Sequence, residues 1–146
     1  MAVDVLTDIV IHRPLHDVAV FAGDPTNAPQ WYVNIASVEW RTPPPLALGS
    51  RVAFVAHFLG RRMAYTYEIV VLEQDARLVM RTAEGPFPME TTYAWSAVGS
   101  DQTRMSLRNR GEPAGFSKLM APMMSSMMRR ANEKDLLKLK AILENR

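Results

Sequence analysis

Between residues 33 and 111 the chain repeats one pattern six times: apolar and polar side chains alternate singly, then a few turn-forming residues intervene. No other feature narrows the fold as much. A period of two belongs to a strand with one buried face. Connections this short join only antiparallel neighbours, because a parallel pair needs a crossover of a dozen residues or more. The alternating runs are 33–41, 49–58, 63–71, 78–82, 89–97 and 103–110. Thr42-Pro43-Pro44-Pro45, Leu59-Gly60-Arg61, Gln74-Asp75, Glu84-Gly85-Pro86-Phe87-Pro88 and Gly99-Ser100-Asp101 separate them. Three successive prolines cannot lie inside a sheet and mark an extended connection.

A seventh strand opens the chain. Val3, Val5, Thr7, Ile9 and Ile11 share one of its faces. Arg13-Pro14 ends it, and Leu15, Val18, Ala19 and Ala22 mark a short amphipathic helix closed by Gly23. Asp24-Pro25 caps and starts a second short helix that runs out at Trp31.

Each strand has an apolar face that must be covered. The only stretch long enough to cover them is 115–146. There Phe116, Leu119, Met120, Met123, Met127 and Ala131 recur at three- and four-residue steps, which predicts one helical face. A helix of that length spans about 45 Å. Pro122 removes a donor and crowds the preceding turn, so a kink is expected near 118–122. Five methionines fall within 120–128. Such flexible thioethers either fill irregular core gaps or form a deformable wall to a cavity.

At 146 residues, the chain reads as a single domain, 1–146. Hydrophobic residues make up 48% and charged residues 22%, the composition of a soluble globular protein. A net charge of +2 gives no strong field for nucleic acid or anionic membrane. Arg61, Arg62, Arg104, Arg108 and Arg110 fall on the water face beside Glu68, Glu73 and Glu90, so they read as solvated. With no cysteine, disulfide and thiolate chemistry are excluded, and a reducing, cytoplasmic setting is expected. Asp4 and Asp8 stand where a signal peptide would be basic, and no apolar run reaches transmembrane length.

His57 is a candidate acid or base by residue type, but the alternation puts it on the water face with Arg51. His12 and His16 flank the first strand-to-helix corner. The three lack metal-ligand spacing, so neither metal nor cofactor is expected. Glu68 and Glu90 face away from the interior, which argues against paired-carboxylate chemistry. The inward alternation carries Phe54, Phe58, Met80, Met89 and Met105, with Trp31 behind the short helices and Met120, Met123 and Met127 opposite. Its polar members are Tyr65, Tyr67, Thr82, Thr91, Tyr93, Trp95 and Asn109. A few polar groups in an apolar pocket orient a ligand; alternatively they satisfy one another or a buried water. Thr91 and Asn109 are expected as cross-strand neighbours.

Pro14, Trp31, Gly49, Leu59-Gly60-Arg61-Arg62, Gly85-Pro86-Phe87-Pro88, Gly111-Glu112-Pro113 and Leu119-Met120-Ala121-Pro122, in this order and spacing, resemble the SRPBCC superfamily of START-like and birch-pollen-allergen-like proteins. Within it the chain is similar to the polyketide cyclase/dehydrase and lipid-transport group. The resemblance covers nearly the whole chain. It implies an α+β helix-grip fold: a curved seven-stranded antiparallel sheet wrapped round a long C-terminal helix, with two short helices after the first strand. It also implies an apolar cavity between sheet and helix; ligand pockets in general hold about 300–1,000 Å³, and a cavity of that order is expected. The expected partner is a hydrophobic or aromatic small molecule (lipid, sterol or polyketide-like), bound by a monomer or homodimer without stable membrane insertion. Two other classes stay open. One is a cyclase/dehydratase-type enzyme using Tyr65, Tyr93 or Asn109 to polarise a carbonyl. The other is an interaction protein whose cavity has filled in.

Overall fold

The computed structural model describes residues 3–58, 60–112 and 120–146. The first strand, β1 (Val3–Ile11), leads into α1 (Leu15–Ala22), a 3-10 turn (Pro25–Asn27) and α2 (Ala28–Trp31). Then come β2 (Ile35–Trp40), β3 (Arg51–Phe58), β4 (Arg61–Glu73), β5 (Arg77–Glu84), β6 (Met89–Gly99) and β7 (Gln102–Gly111), followed by α3 (Ala121–Glu144). The seven strands of the described residues form one sheet in the order β1-β7-β6-β5-β4-β3-β2. Every pair is antiparallel. Each strand from β2 to β7 lies beside the next in sequence, as the short turns require. Bulges at Ile35/Ser37, Thr66/Tyr67, Ile69/Val71 and Ala97/Gly99 bend the strands. The sheet therefore curls, and its concave face receives the helices.

The turns follow local chemistry. Asp24 accepts the Thr26 N–H at 2.9 Å and so caps the 3-10 turn. Gly49 enters β3 with φ +85°, a left-handed conformation open to glycine at no steric cost. The Pro44–Pro45 bond within the proline run is cis. On the convex face the arginines pair across strands: Arg108 with Asp4, Arg104 with Asp8, Arg51 with Glu68 and Arg81 with Glu90. His12, His16 and His57 are exposed.

The C-terminal helix differs from its sequence reading in two ways. Pro122 lies in the first turn of α3, where a missing N–H leaves no bond unmade, so it does not kink the described helix. The part of the expected kink at 118–119, like Phe116 and Leu119, lies outside the described residues. The buried face is also rotated. Met124, Asn132, Asp135, Leu136, Leu139 and Leu143 are buried, whereas Met123 and Met127 are 48% and 39% exposed. Methionine occupies both stripes of the first two turns, so those turns alone do not fix the phase. The leucines at 136, 139 and 143 fix it, because they extend the Met124–Met128 stripe at helical spacing.

Two apolar clusters hold α3. Leu136, Leu139 and Leu143 pack with Ile11, Val18, Trp31, Trp95 and Met105. Met124 packs with Val3 and Val5, with Met128 and Phe58 alongside. Polar bonds tie the helix to the free edge of β1. Arg129 donates to the Leu6 carbonyl at 3.0 Å and Lys140 to the Val10 carbonyl at 2.8 Å. The Glu144 carboxylate accepts the His12 N–H at 2.9 Å. Such cover blunts an edge that could otherwise template further strand pairing.

Candidate functional site

Between its two anchored ends, α3 turns short or adaptable side chains toward the sheet: Met128, Ala131, Asn132 and Asp135. The curled sheet recedes there, and a cavity of about 130 Å³ remains. Phe54 and Phe58 of β3, Tyr65 and Tyr67 of β4, and Met80 of β5 line it. Met89, Thr91 and Tyr93 of β6, Asn109 of β7 and Ile35 of β2 complete the sheet side, and Tyr32 also lines the cavity. This volume is below the roughly 300–1,000 Å³ expected of a typical ligand pocket. It is nearer to the roughly 150 Å³ at which an apolar cavity accepts a single benzene ring. Ring packing accounts for part of the difference: Phe54, Tyr65 and Tyr67 lie 5.0–5.9 Å apart centroid to centroid and occupy the hollow.

Two polar groupings border the cavity. In the first, the Tyr67 hydroxyl lies 2.9 Å from that of Thr91, which donates to Asn109 Oδ1 at 2.7 Å. Thr91 and Asn109 are direct partners in the β6–β7 register. The chain is closed: Thr91 gives its proton to Asn109 and accepts from Tyr67. In the second, the Tyr32 and Tyr93 hydroxyl oxygens are 2.5 Å apart. Asp135 Oδ1 accepts the Val33 N–H at 2.9 Å, and Asn132 is buried with no hydrogen-bond partner for Nδ2 among the described residues.

Burial governs the ionisation of both groupings. It holds the Tyr32, Tyr65 and Tyr93 hydroxyls well above their ordinary range. Tyr67 is pushed up to about 12, desolvation outweighing its bond to Thr91. The Asp135 carboxyl, 2% exposed, is raised from 3.8 to about 6 by desolvation, against the opposing Val33 bond and the Lys138 charge. A carboxyl raised to about 6 therefore sits among phenols that stay protonated.

The expected site residues divide accordingly. Phe54, Phe58, Tyr65, Tyr67, Met80, Met89, Thr91, Tyr93 and Asn109 line the cavity. Trp31 does not; it is fully buried behind the wall, its ring 4.2 Å from Tyr32 and 5.7 Å from Tyr93. Trp95 and Met105 are buried in the main core and do not line the cavity. The Thr82 hydroxyl is used on the Met89 backbone, donating to its carbonyl and accepting its N–H, which pins the β5–β6 connection. Met120 caps the start of α3 away from the cavity, and Met123 and Met127 face outward. The methionines that line the cavity are the expected Met80 and Met89, joined by Met63, Met124 and Met128.

Strand alternation and motif spacing do not single out Tyr32, Asn132 or Asp135, which also line the cavity. A signal existed for the last two. Asn132 lies four positions before the buried Leu136 and Asp135 four before the buried Leu139, so they are polar residues on an apolar stripe. That signal requires the phase of α3 to be known.

Comparison with known proteins places this architecture. Among solved structures, the TTHA0849 protein from Thermus thermophilus superposes with a TM-score of 0.84 at 20% identity, over 97% of each chain. The START superfamily protein from Mycobacterium smegmatis gives 0.81 at 13% identity, again over 97% of each. The Zhui aromatase/cyclase from Streptomyces sp. R1128 gives 0.81 at 16% identity, over 98% of this chain and 94% of that one. At these identities the likeness is one of fold. No curated protein matches the chain. A family model described as polyketide cyclase / dehydrase and lipid transport matches residues 2–144. The chain therefore belongs to the polyketide cyclase/dehydrase and lipid transport family.

Proposed function

We propose that the chain binds a small hydrophobic or aromatic molecule in the cavity between sheet and α3. Its apolar body would lie against Phe54, Tyr65 and the methionines, and its polar end against Asp135, Asn132 and the Tyr32–Tyr93 pair. The observation that carries this reading is the unfilled apolar hollow bordered by two small polar groupings. Membership of the family and the fold shared with a START superfamily protein support it. At about 130 Å³ the hollow suits one ring. A lipid, sterol or folded polyketide requires the wall to open. Five methionines on that wall, among the described residues, supply side chains that can re-pack.

The test is an NMR titration with phenol and with a medium-chain fatty acid, on the native chain and on Ala131→Phe, which fills the hollow from the helix side. Saturable shifts at residues facing the cavity, abolished by the filled variant, are expected. Absence of saturable shifts with either probe would count decisively against the reading.

One observation favours a second, catalytic reading: the Asp135 carboxyl titrates near 6 beside protonated phenols. A carboxylate of this kind removes a proton beside a carbonyl while Tyr93, Tyr65 or Asn109 donates to the carbonyl oxygen, as ring closure or dehydration requires. The fold shared with an aromatase/cyclase is consistent with it. Turnover of a β-hydroxy ketone, lost in Asp135→Asn with binding retained, distinguishes an enzyme from a carrier.

A further inference from the structure

Asp135 is 2% exposed and lines the cavity. Among the described residues the Val33 N–H is its one hydrogen-bond donor, and Lys138 acts on it only through space. A carboxylate this deeply buried without a partner cation is unfavourable by several kcal/mol as a general rule. Beside it, Asn132 is also unpartnered at Nδ2, and the two orientations of its carboxamide present either an N–H₂ or an oxygen to the same space. Tyr32, Tyr65 and Tyr93 all sense the Asp135 charge, and each of them lines the cavity, with Phe54 packed on Tyr65 at 5.6 Å. A lone carboxylate among aromatic rings complements an ammonium group. The ring faces attract the cation through their quadrupoles, and the carboxylate neutralises it.

Resting on the reading that this cavity is the ligand site, we propose that its ligand is a cationic amine carried on a single ring, with the ammonium on Asp135 and its carbon skeleton against the tyrosines. The volume of about 130 Å³ sets the one-ring limit. An amine larger by a second fused ring would need the methionine wall to move.

Four titratable groups interact with Asp135: the phenols of Tyr32 after α2, Tyr65 of β4 and Tyr93 of β6, and the Lys138 ammonium of α3 itself. Arg110 of β7 also lines the cavity, its guanidinium 3.6 Å from Glu90 and 3.8 Å from Asp4. Burial keeps the three phenols protonated throughout the neutral range, so Asp135 is the cavity group that titrates there. The cation binds the ionised carboxylate. With a carboxyl pKa of about 6, roughly nine-tenths of Asp135 is protonated at pH 5, and amine affinity falls about tenfold from its value at pH 7.5. A neutral ligand shows no such fall.

Calorimetry with benzylamine and benzyl alcohol, nearly equal in shape, tests the proposal on the native chain and on Asp135→Asn at pH 5 and 7.5. Benzylamine is expected to bind at least about tenfold tighter than benzyl alcohol at pH 7.5. It should lose that advantage at pH 5, and lose it again in the variant. On the native chain at pH 5.5, benzylamine should also release roughly three-quarters of a proton, read from buffers of different ionisation heat, and benzyl alcohol none. That second measurement needs no variant. Benzylamine no tighter than the alcohol, or binding without proton release, overturns the amine assignment and leaves the cavity reading standing. If neither compound binds, both fall.

Discussion

The backbone N–H of Val33 donates to the Asp135 carboxylate at 2.9 Å, joining the exit of α2 to the middle of α3 across 102 residues of sequence. This bond holds the carboxyl at the cavity wall but does not offset its desolvation. The folded pKa of about 6 lies above the ordinary 3.8, so the folded chain binds the extra proton in the interval between them. Stability therefore falls as pH rises from about 4 to 6 and is flat above. Asp135→Asn keeps an acceptor for Val33 and removes the charge. At pH 7.5 it is expected to raise stability by about 1–3 kcal/mol and to flatten the dependence between pH 4 and 6. Urea unfolding at a series of pH values measures both, and a variant less stable than the native chain at pH 7.5 contradicts the account.

The Tyr32–Tyr93 hydroxyl pair behaves differently when one member or both are removed. Tyr93→Phe leaves the Tyr32 hydroxyl buried without its partner, at an expected loss of about 1–2 kcal/mol. Removing both hydroxyls together deletes donor and acceptor at once and should cost less than the single change. A double-mutant cycle by thermal unfolding reads the sign of the coupling. Strictly additive losses would show that the hydroxyls are not paired.

Thr91 is the middle of the Tyr67–Thr91–Asn109 chain, and both neighbours depend on its hydroxyl. Thr91→Val preserves shape and orphans two groups, for an expected loss of about 1–3 kcal/mol. Thr92→Val, one residue along on the opposite face of β6, should change stability by less than about 0.5 kcal/mol. Chemical denaturation of the two variants compares them directly.

The phase of α3 is tested by a pair of methionines three residues apart. Met124 is 2% exposed and Met127 39%. Met124→Ala should cost about 2–4 kcal/mol, whereas Met127→Ala should stay within about 0.5 kcal/mol. The reverse order would restore the helix face read from Met120, Met123 and Met127.

Much of the architecture was legible in the chain itself. Single-residue alternation and turns such as Gly99-Ser100-Asp101 determined which strands neighbour which, because strand periodicity and short connections are local properties. Inward positions on β3, β4 and β6 could be read for the same reason: Phe54, Tyr65, Tyr67, Thr91 and Tyr93 all reach the cavity. Local reading weakened where a residue's alternation was right but its depth along the strand mattered. Trp95 and Met105 share that inward face, yet they lie where Leu136, Leu139 and Leu143 close the interior.

Residue order alone was enough for the set of elements, their pairing and the sheet face turned inward, since each follows from periods of two or of three to four residues. Packing of the whole chain was needed for the rotation of α3, the size of the hollow and the meeting of Asp135 with Val33, Tyr32 and Tyr93. These depend on how a helix with methionines on two stripes settles against a sheet bent by bulges, an outcome that no single stretch encodes.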